Sequence, residues 1–139
     1  MLEVEGLGRD FRLRRSWWDH RTLVAVDNVS FSVPRGKTLA VVGESGSGKS
    51  TLGLCLVGLL KPSRGHLRLD NVDLLQLPAS AYRRYRRKLQ MVFQDPDESL
   101  NPRLTVGTTL REPLQRWHGL RGVALTARLL DLMEQVQLA

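Results

Sequence analysis

Apolar and polar positions alternate or run together in ways that divide the first part of the chain into predicted elements. LEVEGL and VAVDNVSFSV contain alternating apolar positions, which are typical of strands. TLAVVG, at residues 38–43, is a continuous apolar run of the kind that forms buried strands in parallel sheets. Two further strands are predicted at HLRL and LQMVFQ, and STLGLCLVGLL predicts a helix that KPSRG closes. This part of the chain therefore has the character of an α/β fold.

The pattern changes after Gln94, where strands give way to predicted helices. Residues 106–114 form one predicted helix. A second, amphipathic helix is indicated by apolar residues at helical spacing, which are Leu125, Leu129, Leu132, Met133 and Val136. The turn-rich stretch QDPDESLNPR links the two parts. We therefore expect an α/β part at residues 1–94 and a helical part at residues 95–139.

Composition limits the class of protein. The chain has 139 residues, of which 42% are hydrophobic and 25% charged, and this suits at most one globular domain with a core. Its longest uncharged apolar run, residues 52–60, is roughly half as long as a membrane crossing requires, and no signal peptide is visible at the start. The single cysteine, Cys55, cannot form an internal disulfide, which fits a reducing compartment.

The net charge of +7 favours a polyanionic partner, such as nucleic acid, anionic lipid headgroups or a phosphorylated ligand. The densest basic segment is AYRRYRRK at residues 81–88. On a helix, Tyr82, Tyr85 and Leu89 would share one face while the arginines cover the rest. We interpret this segment as a solvated amphipathic helix in preference to a dedicated nucleic-acid surface.

The stretch GESGSGKS at residues 43–50 fits the pattern G-x-x-x-x-G-K-[ST], between a predicted strand and a predicted helix as that pattern requires. Its glycines permit dihedrals closed to other residues and let backbone N–H groups surround a phosphate chain. Lys49 would reach the β- and γ-phosphates, and Ser50 would offer its hydroxyl to Mg²⁺. The motif predicts a nucleotide site whose loop residues are Gly43, Ser45, Gly46, Ser47 and Gly48.

A second stretch, MVFQDPDESLNPRLTV, narrows the choice among phosphate-loop proteins. Together with AVDNVSF and GESGSGKSTL, it resembles the ATP-binding subunits of ABC transporters, in particular the branch that imports peptides and nickel. The resemblance covers nearly the whole chain. It implies that residues 43–50 are the Walker A loop, that Thr51 contacts the α-phosphate, and that Gln94 is the Q-loop glutamine. In the family this glutamine coordinates Mg²⁺ and the attacking water, which makes it a catalytic residue and a metal ligand; without the resemblance it would be an exposed glutamine at a strand end.

The resemblance also implies an aromatic residue that stacks on adenine upstream of the loop. Phe11 in LGRDF is the first choice for this position. The stretch RLRRSWWDHR lengthens the following hairpin and leaves Trp17 and Trp18 as alternatives. Phe11 as an ordinary core residue is a further alternative.

Three family features do not appear in this sequence: the glycine-rich signature loop, a second acidic strand with the Mg²⁺ aspartate and catalytic glutamate, and the switch histidine. Asp131, in RLLDLMEQ, lies within a helical repeat, and His20 and His118 are interpreted as surface histidines. We therefore expect an incomplete ABC ATPase: a nucleotide-binding core with an antiparallel β edge and the beginning of a helical subdomain. Marginal stability is expected, as is binding of ATP and Mg²⁺ without hydrolysis by this chain alone, so whether it is an enzyme stays open.

The family resemblance implies protein partners in the full-length parent. These are the membrane permease subunits of an importer and a second ATP-binding subunit, with the parent peripheral on the cytoplasmic face of the membrane. Residues 95–114 would form the docking groove for the permease. Their suitable features are prolines that stiffen turns, apolar contacts and cations, supplied by Pro96, Pro102, Leu100, Leu104, Arg103 and Arg111.

Two other functional classes stay open. A nucleic-acid-dependent phosphate-loop ATPase would explain the positive charge, and a small-molecule kinase would share the phosphate loop. Neither explains FQDPDESLNPR, so we expect no nucleic-acid partner.

Overall fold

The computed structural model describes residues 1–14, 20–94 and 100–138. The chain divides into two compact units, Met1–Met91 and Val92–Ala139. The first unit contains a β-sheet with short helices, and the second contains two helices. Each unit is described by itself.

A four-stranded sheet dominates the first unit. Its strands are β1 (Leu2–Arg14), β2 (His20–Val33), β3 (Arg64–Leu69) and β4 (Val72–Asp73). They lie in the order β2-β1-β3-β4, and every neighbouring pair is antiparallel. Register shifts after Val4 interrupt both the β1–β2 and the β1–β3 ladders. The strands predicted at LEVEGL, VAVDNVSFSV and HLRL are confirmed, and β1 and β2 extend further toward residues 15–19 than predicted.

Short helices complete the first unit. Helix α1 (Lys49–Leu56) follows the glycine-rich loop, and α2 (Ala79–Tyr85) lies in the basic segment. Two 3₁₀ turns, Leu74–Gln76 and Arg86–Lys88, flank α2. The predicted helix in the basic segment is confirmed, with Tyr82, Tyr85 and Leu89 packed against the core.

The core of the first unit lies where α1 packs on the sheet. Its buried residues come from β1, β2, β3, α1 and the 3₁₀ turn Leu74–Gln76, and are Val4, Leu7, Val26, Leu52, Cys55, Leu67 and Leu74. Cys55 is fully buried, and this burial raises the pKa of its thiol against a smaller opposing effect of Arg9. The thiol therefore behaves as a small apolar group in the core.

The second unit is a pair of helices, α3 (Val106–His118) and α4 (Gly122–Gln135). The Thr105 hydroxyl caps α3 by accepting a hydrogen bond from the Thr108 N–H, and Gly119 ends the helix in the left-handed conformation. Leu114, Leu125 and Leu129 form the buried contact between the helices. Both helices predicted from apolar spacing are confirmed.

Two predicted strands are wrong. Residues 38–43 and 89–94 have no strand structure, although both are rich in apolar residues. Val42 and Val92 are 91% and 96% exposed. A parallel strand obtains its hydrogen bonds only from neighbouring strands, and the sheet of the described residues is antiparallel and built from other segments. The two apolar runs therefore have no strand to pair with among the described residues.

None of the helices in the described part of the chain has both the length and the apolar character that crossing a bilayer requires.

Candidate functional site

The glycine-rich loop at residues 43–48 enters α1 through a tight turn. The Ser47 N–H donates to the Glu44 carbonyl at 3.2 Å, and Gly46 and Gly48 have φ of 79° and 93°. A Cβ on Gly48 would lie 2.1 Å from the Ala25 carbonyl oxygen, whereas a Cβ on Gly46 would meet nothing within 4 Å. Gly48 is therefore required both by its left-handed backbone and by close packing of the loop on β2.

The ammonium group of Lys49 folds back over this loop. It donates to the carbonyl oxygens of Gly43 and Glu44 at 2.7 and 2.6 Å, and to the Ser47 hydroxyl at 3.3 Å. An ammonium group has three donors, so this ring of oxygens satisfies all of them. The loop thus curls around one positive charge, which is the arrangement that draws an anionic ligand into a loop of this kind.

The start of α1 presents further donors beside Lys49. The first N–H groups of a helix, here those of residues 49–51, have no acceptor within the helix. The first turn contains no acidic residue, and the hydroxyls of Ser50 and Thr51 have no hydrogen-bond partner among the described residues. Together with the positive end of the helix dipole, these groups suit a polyphosphate.

A metal ion would bind at this loop only together with a ligand that supplies further oxygens. Within the described residues, no group of three or more His, Cys, Asp or Glu side chains could hold a metal. Mg²⁺ is commonly bound through one or two protein oxygens together with substrate phosphates. The Ser50 hydroxyl therefore fits Mg²⁺ only as part of a metal–phosphate complex.

A cavity of about 550 Å³ adjoins the loop on the side of β2. Its walls include Val26 and Phe31 from β2, Val41 from the exposed run before the loop, and Leu52 from α1. Gly43 and Lys49 close one end. The lining from the sheet is mainly apolar, with Asp27 as its one acidic residue, and the lining from the loop is polar, so the donors of the loop adjoin a largely hydrophobic cavity.

No ring contact joins Phe11 to the loop among the described residues. It lies in β1 opposite Leu23 and is half-buried. The guanidinium of Arg9 lies 4.6 Å from its ring centroid and also donates to the Lys61 carbonyl at 2.9 Å. One face of the ring is therefore in contact with a cation. The alternatives for adenine stacking, Trp17 and Trp18, lie outside the described residues.

Gln94 is an exposed residue in a bend at the beginning of the second unit, whereas the loop belongs to the first. Gln94 and the loop are therefore described separately, each within its own unit. The expected strand before Gln94 is not formed. His118 is exposed in the last turn of α3, and the side chain of His20 lies outside the described residues. Asp131 lies within α4, as predicted, where Arg128 and Gln135 contact its carboxylate.

A three-residue ionic cluster beside the loop was not predicted from the sequence. Arg64 on β3 donates to Asp10 on β1 at 2.7 Å and to Asp27 on β2 at 2.5 Å. The hydrogen bond to Asp10, followed by that to Asp27, raises the pKa of Arg64. This cluster links three strands close to Ala25, on which Gly48 packs. The three residues are far apart in the sequence, and no local pattern indicates their contact.

A family model described as ABC transporter matches residues 26–139. The chain is also similar to proteins named as peptide import ATP-binding proteins. It is 44% identical to one from Brucella abortus over 140 residues, which are 99% of this chain and 42% of that protein. It is 39% identical to one from Brucella ovis over 142 residues, with the same two coverages. The chain thus spans about two fifths of the length of these curated relatives.

Solved structures agree on the fold. A dimeric ATP-binding cassette in a post-hydrolysis state bound to ADP and Pi has a TM-score of 0.77 at 24% identity, over 99% of this chain and 57% of that one. An ATP-binding subunit of an ABC transporter has a TM-score of 0.67 at 28% identity, over 99% of this chain and 51% of that one. The α/β class predicted from the sequence, with an incomplete ATPase core, is confirmed.

Proposed function

Because the chain belongs to the ABC transporter family, we propose that it is the ATP-binding portion of an ATPase that energises peptide import through a membrane permease. The observation that carries this proposal is the loop at residues 43–51. It combines a ring of oxygens around Lys49 with N–H groups at a helix start and two hydroxyls that have no hydrogen-bond partner among the described residues. The names of the relatives support the peptide substrate.

The roles of the loop residues follow from their positions. Lys49 exchanges its carbonyl acceptors for the β- and γ-phosphates of ATP, Ser50 supplies an oxygen to Mg²⁺, and Thr51 contacts the α-phosphate. The glycine and serine residues surround the phosphates with backbone N–H groups; these are Gly43, Ser45, Gly46, Ser47 and Gly48. Phe11 is the proposed adenine contact. In this role one ring face would bind the base while Arg9 lies over the other face.

We propose Gln94 as the catalytic glutamine and second protein ligand of Mg²⁺ in the full-length parent. Its exposure leaves the side-chain amide accessible. The chain itself is proposed to bind ATP without turnover, because its sequence offers no catalytic glutamate or signature loop. Sustained phosphate release by the purified chain that is lost in Lys49→Ala would contradict this part of the proposal.

Measurement of Mg-ATP affinity tests the loop assignment. Lys49→Ala should weaken binding by at least about tenfold, which corresponds to about 1.4 kcal/mol, because it removes the cation at the phosphates. Lys37→Ala is a matched control, since Lys37 is exposed in the turn before the loop and its charge change is the same. Equal affinities for wild type and Lys49→Ala would overturn the nucleotide assignment.

The permease partner is proposed to dock on residues 95–114 of the parent. Of these, residues 100–114 are described, and the docking candidates Leu100 and Leu104 are 52% and 50% exposed. Such leucines are available to a partner and do not lie buried beneath their own helix. In this arrangement the parent would be peripheral on the cytoplasmic face of the membrane, paired with a second ATP-binding subunit.

Crosslinking in the full-length parent tests the docking assignment. Single cysteines at Ser99 and Arg103 should form crosslinks to the permease. A cysteine at Glu134, which is exposed on α4, serves as the control and should not. Crosslinks that reach only nucleic acid would overturn the transporter assignment.

A further inference from the structure

A second cavity, of about 410 Å³, lies in the first unit at the C-terminal side of α1. It is bounded by residues 58–62, by the 3₁₀ turn Leu74–Gln76 and by α2. It shares no lining residue with the cavity beside the phosphate loop. Its volume is within the range of small-molecule sites.

The mouth of this cavity is positively charged. Lys61, Arg83 and Arg86 contribute to its lining, and none of the described residues that line it is acidic. The side-chain cations of Lys61 and Arg83 have no ion-pair partner in the described part of the chain. Arg86 donates weakly to the Gly58 carbonyl, at 3.4 Å. Two of the three cations are thus available to a negatively charged ligand.

The opposite wall of the cavity is apolar. It consists mainly of leucines that also pack against the core, namely Leu60, Leu74, Leu75 and Leu77. Leu74 is 1% exposed and fixes the floor. A ligand that fills this cavity would therefore contact cations at one end and hydrocarbon at the other.

The hydroxyl of Tyr82 adds a polar group to the same wall. It is buried and has no hydrogen-bond partner among the described residues. A Cβ on Gly58 would lie 1.8 Å from this oxygen, so the glycine is what makes room for it. Burial raises the pKa of Tyr82, against a smaller lowering by Arg86, and the hydroxyl stays protonated at neutral pH.

We propose that this cavity binds a small amphipathic anion, with a carboxylate or phosphate head at Lys61 and Arg83 and a short hydrocarbon body against the leucines. An inorganic ion would leave the apolar wall unused. A nucleic acid would bind an extended basic surface instead of a cavity of this size. The site is separate from the nucleotide loop and does not rest on its assignment.

Binding of small probes to the 139-residue chain tests this proposal. Octanoate and octyl phosphate carry the two head groups, octanol lacks the charge and inorganic phosphate lacks the hydrocarbon body. Titration followed by NMR should show saturable binding of one or both octyl anions, at least fivefold tighter than that of octanol or inorganic phosphate. The tighter of the two octyl anions identifies the preferred head group.

Matched variants locate the site on the molecule. Lys61→Gln and Arg83→Gln should each weaken binding of the octyl anion about fivefold. Arg84→Gln removes the same charge from the next position of α2, which does not line the cavity, and should leave the affinity unchanged. Lys49→Ala should also leave it unchanged. Tyr82→Phe should not lower the thermal stability of the unliganded chain, because the lost hydroxyl has no hydrogen-bond partner among the described residues.

Three results would overturn the proposal. The first is no saturable binding of either octyl anion to the wild-type chain. The second is equally tight binding of octanol or inorganic phosphate at the residues that line this cavity, which would mean that the site is only an apolar patch or a diffuse positive field. The third is an equal loss of affinity in Arg84→Gln and Arg83→Gln. Thermal unfolding of each variant without ligand distinguishes loss of the site from loss of the fold.

Discussion

The antiparallel sheet and the apolar run before the phosphate loop differ in structure although both are rich in hydrophobic residues. In the sheet, Leu7 and Leu67 are fully buried. In the run at residues 38–43, Leu39 and Val41 are 45% and 48% exposed and no strand forms. β1 finds its partners in β2 and β3, whereas the run has no partner among the described residues.

The difference arises because antiparallel and parallel strands need different neighbours. An antiparallel strand can be completed by a neighbour that follows after a hairpin. A buried parallel strand needs neighbours brought in by longer crossovers and cover on both faces. The run at residues 38–43 has no such neighbours among the described residues. The phosphate loop is nevertheless formed, because its turn and its packing on β2 are local.

The largest difference between the two regions should appear in stability. Leu67→Ala removes a fully buried side chain from the sheet and should lower the free energy of unfolding by about 3 kcal/mol. Val42→Ala shortens a side chain that is 91% exposed and should change the free energy of unfolding by less than about 0.5 kcal/mol. Urea denaturation measures both values. Equal losses would mean that the apolar run is packed in solution and does not differ from the sheet in burial.

A smaller effect should separate two glycines of the loop. Gly46 and Gly48 both have positive φ, so alanine at either position costs about 1 kcal/mol or more. Only at Gly48 would the new Cβ also collide with the Ala25 carbonyl. We expect Gly48→Ala to lower the free energy of unfolding by about 2 kcal/mol more than Gly46→Ala. The same urea titrations measure this difference, and its absence would show that the loop does not pack on β2 as described.

The smallest effect concerns pH and the edge of the sheet. Asp70 accepts hydrogen bonds from the Met1 ammonium at 2.8 Å and from Arg35 at 3.2 Å, and these hold the pKa of its carboxyl at about 2, below the ordinary value of 3.8. Because the pKa is lower in the folded state, the carboxylate contributes stability above about pH 4, and this contribution is lost as pH falls toward 2.

The variant Asp70→Asn should remove this part of the pH dependence. Its thermal unfolding temperature should lie slightly below that of wild type at pH 5, and the two should converge at pH 2. The effect is small because these ionic groups are open to solvent. A constant difference between the two proteins from pH 5 to pH 2 would show that Asp70 acts other than through its charge.

The features that could be predicted from the sequence are those whose determinants lie within a single segment of the chain. The confirmed strands and helices are encoded by alternation or helical spacing within single segments, as in α4, where Leu125 and Leu129 recur on one face. The loop at residues 43–48 was located by its own motif. The run at residues 38–43 could not be predicted correctly, because its local pattern favours a strand, whereas a strand also needs a partner and none pairs with it among the described residues.

Contacts between residues that are far apart in the sequence could not be predicted either. Arg64 joins Asp10 and Asp27 across three strands, and the cavity at Tyr82 depends on how α2 packs beside Gly58. Both arrangements follow from register and packing, which single-sequence patterns do not specify.

The most direct test of the central claim is a residue-resolved NMR titration of the wild-type chain with Mg-ATP. The loop assignment predicts that the largest amide shifts fall on residues 45–51, because their N–H groups and Lys49 would bind the phosphates. The sheet residues around Leu67 should move little. If the largest shifts fall in the basic segment at residues 83–88 and the loop amides do not shift, the loop assignment is wrong. Such a result would indicate that ATP binds through charge alone and not at a nucleotide site.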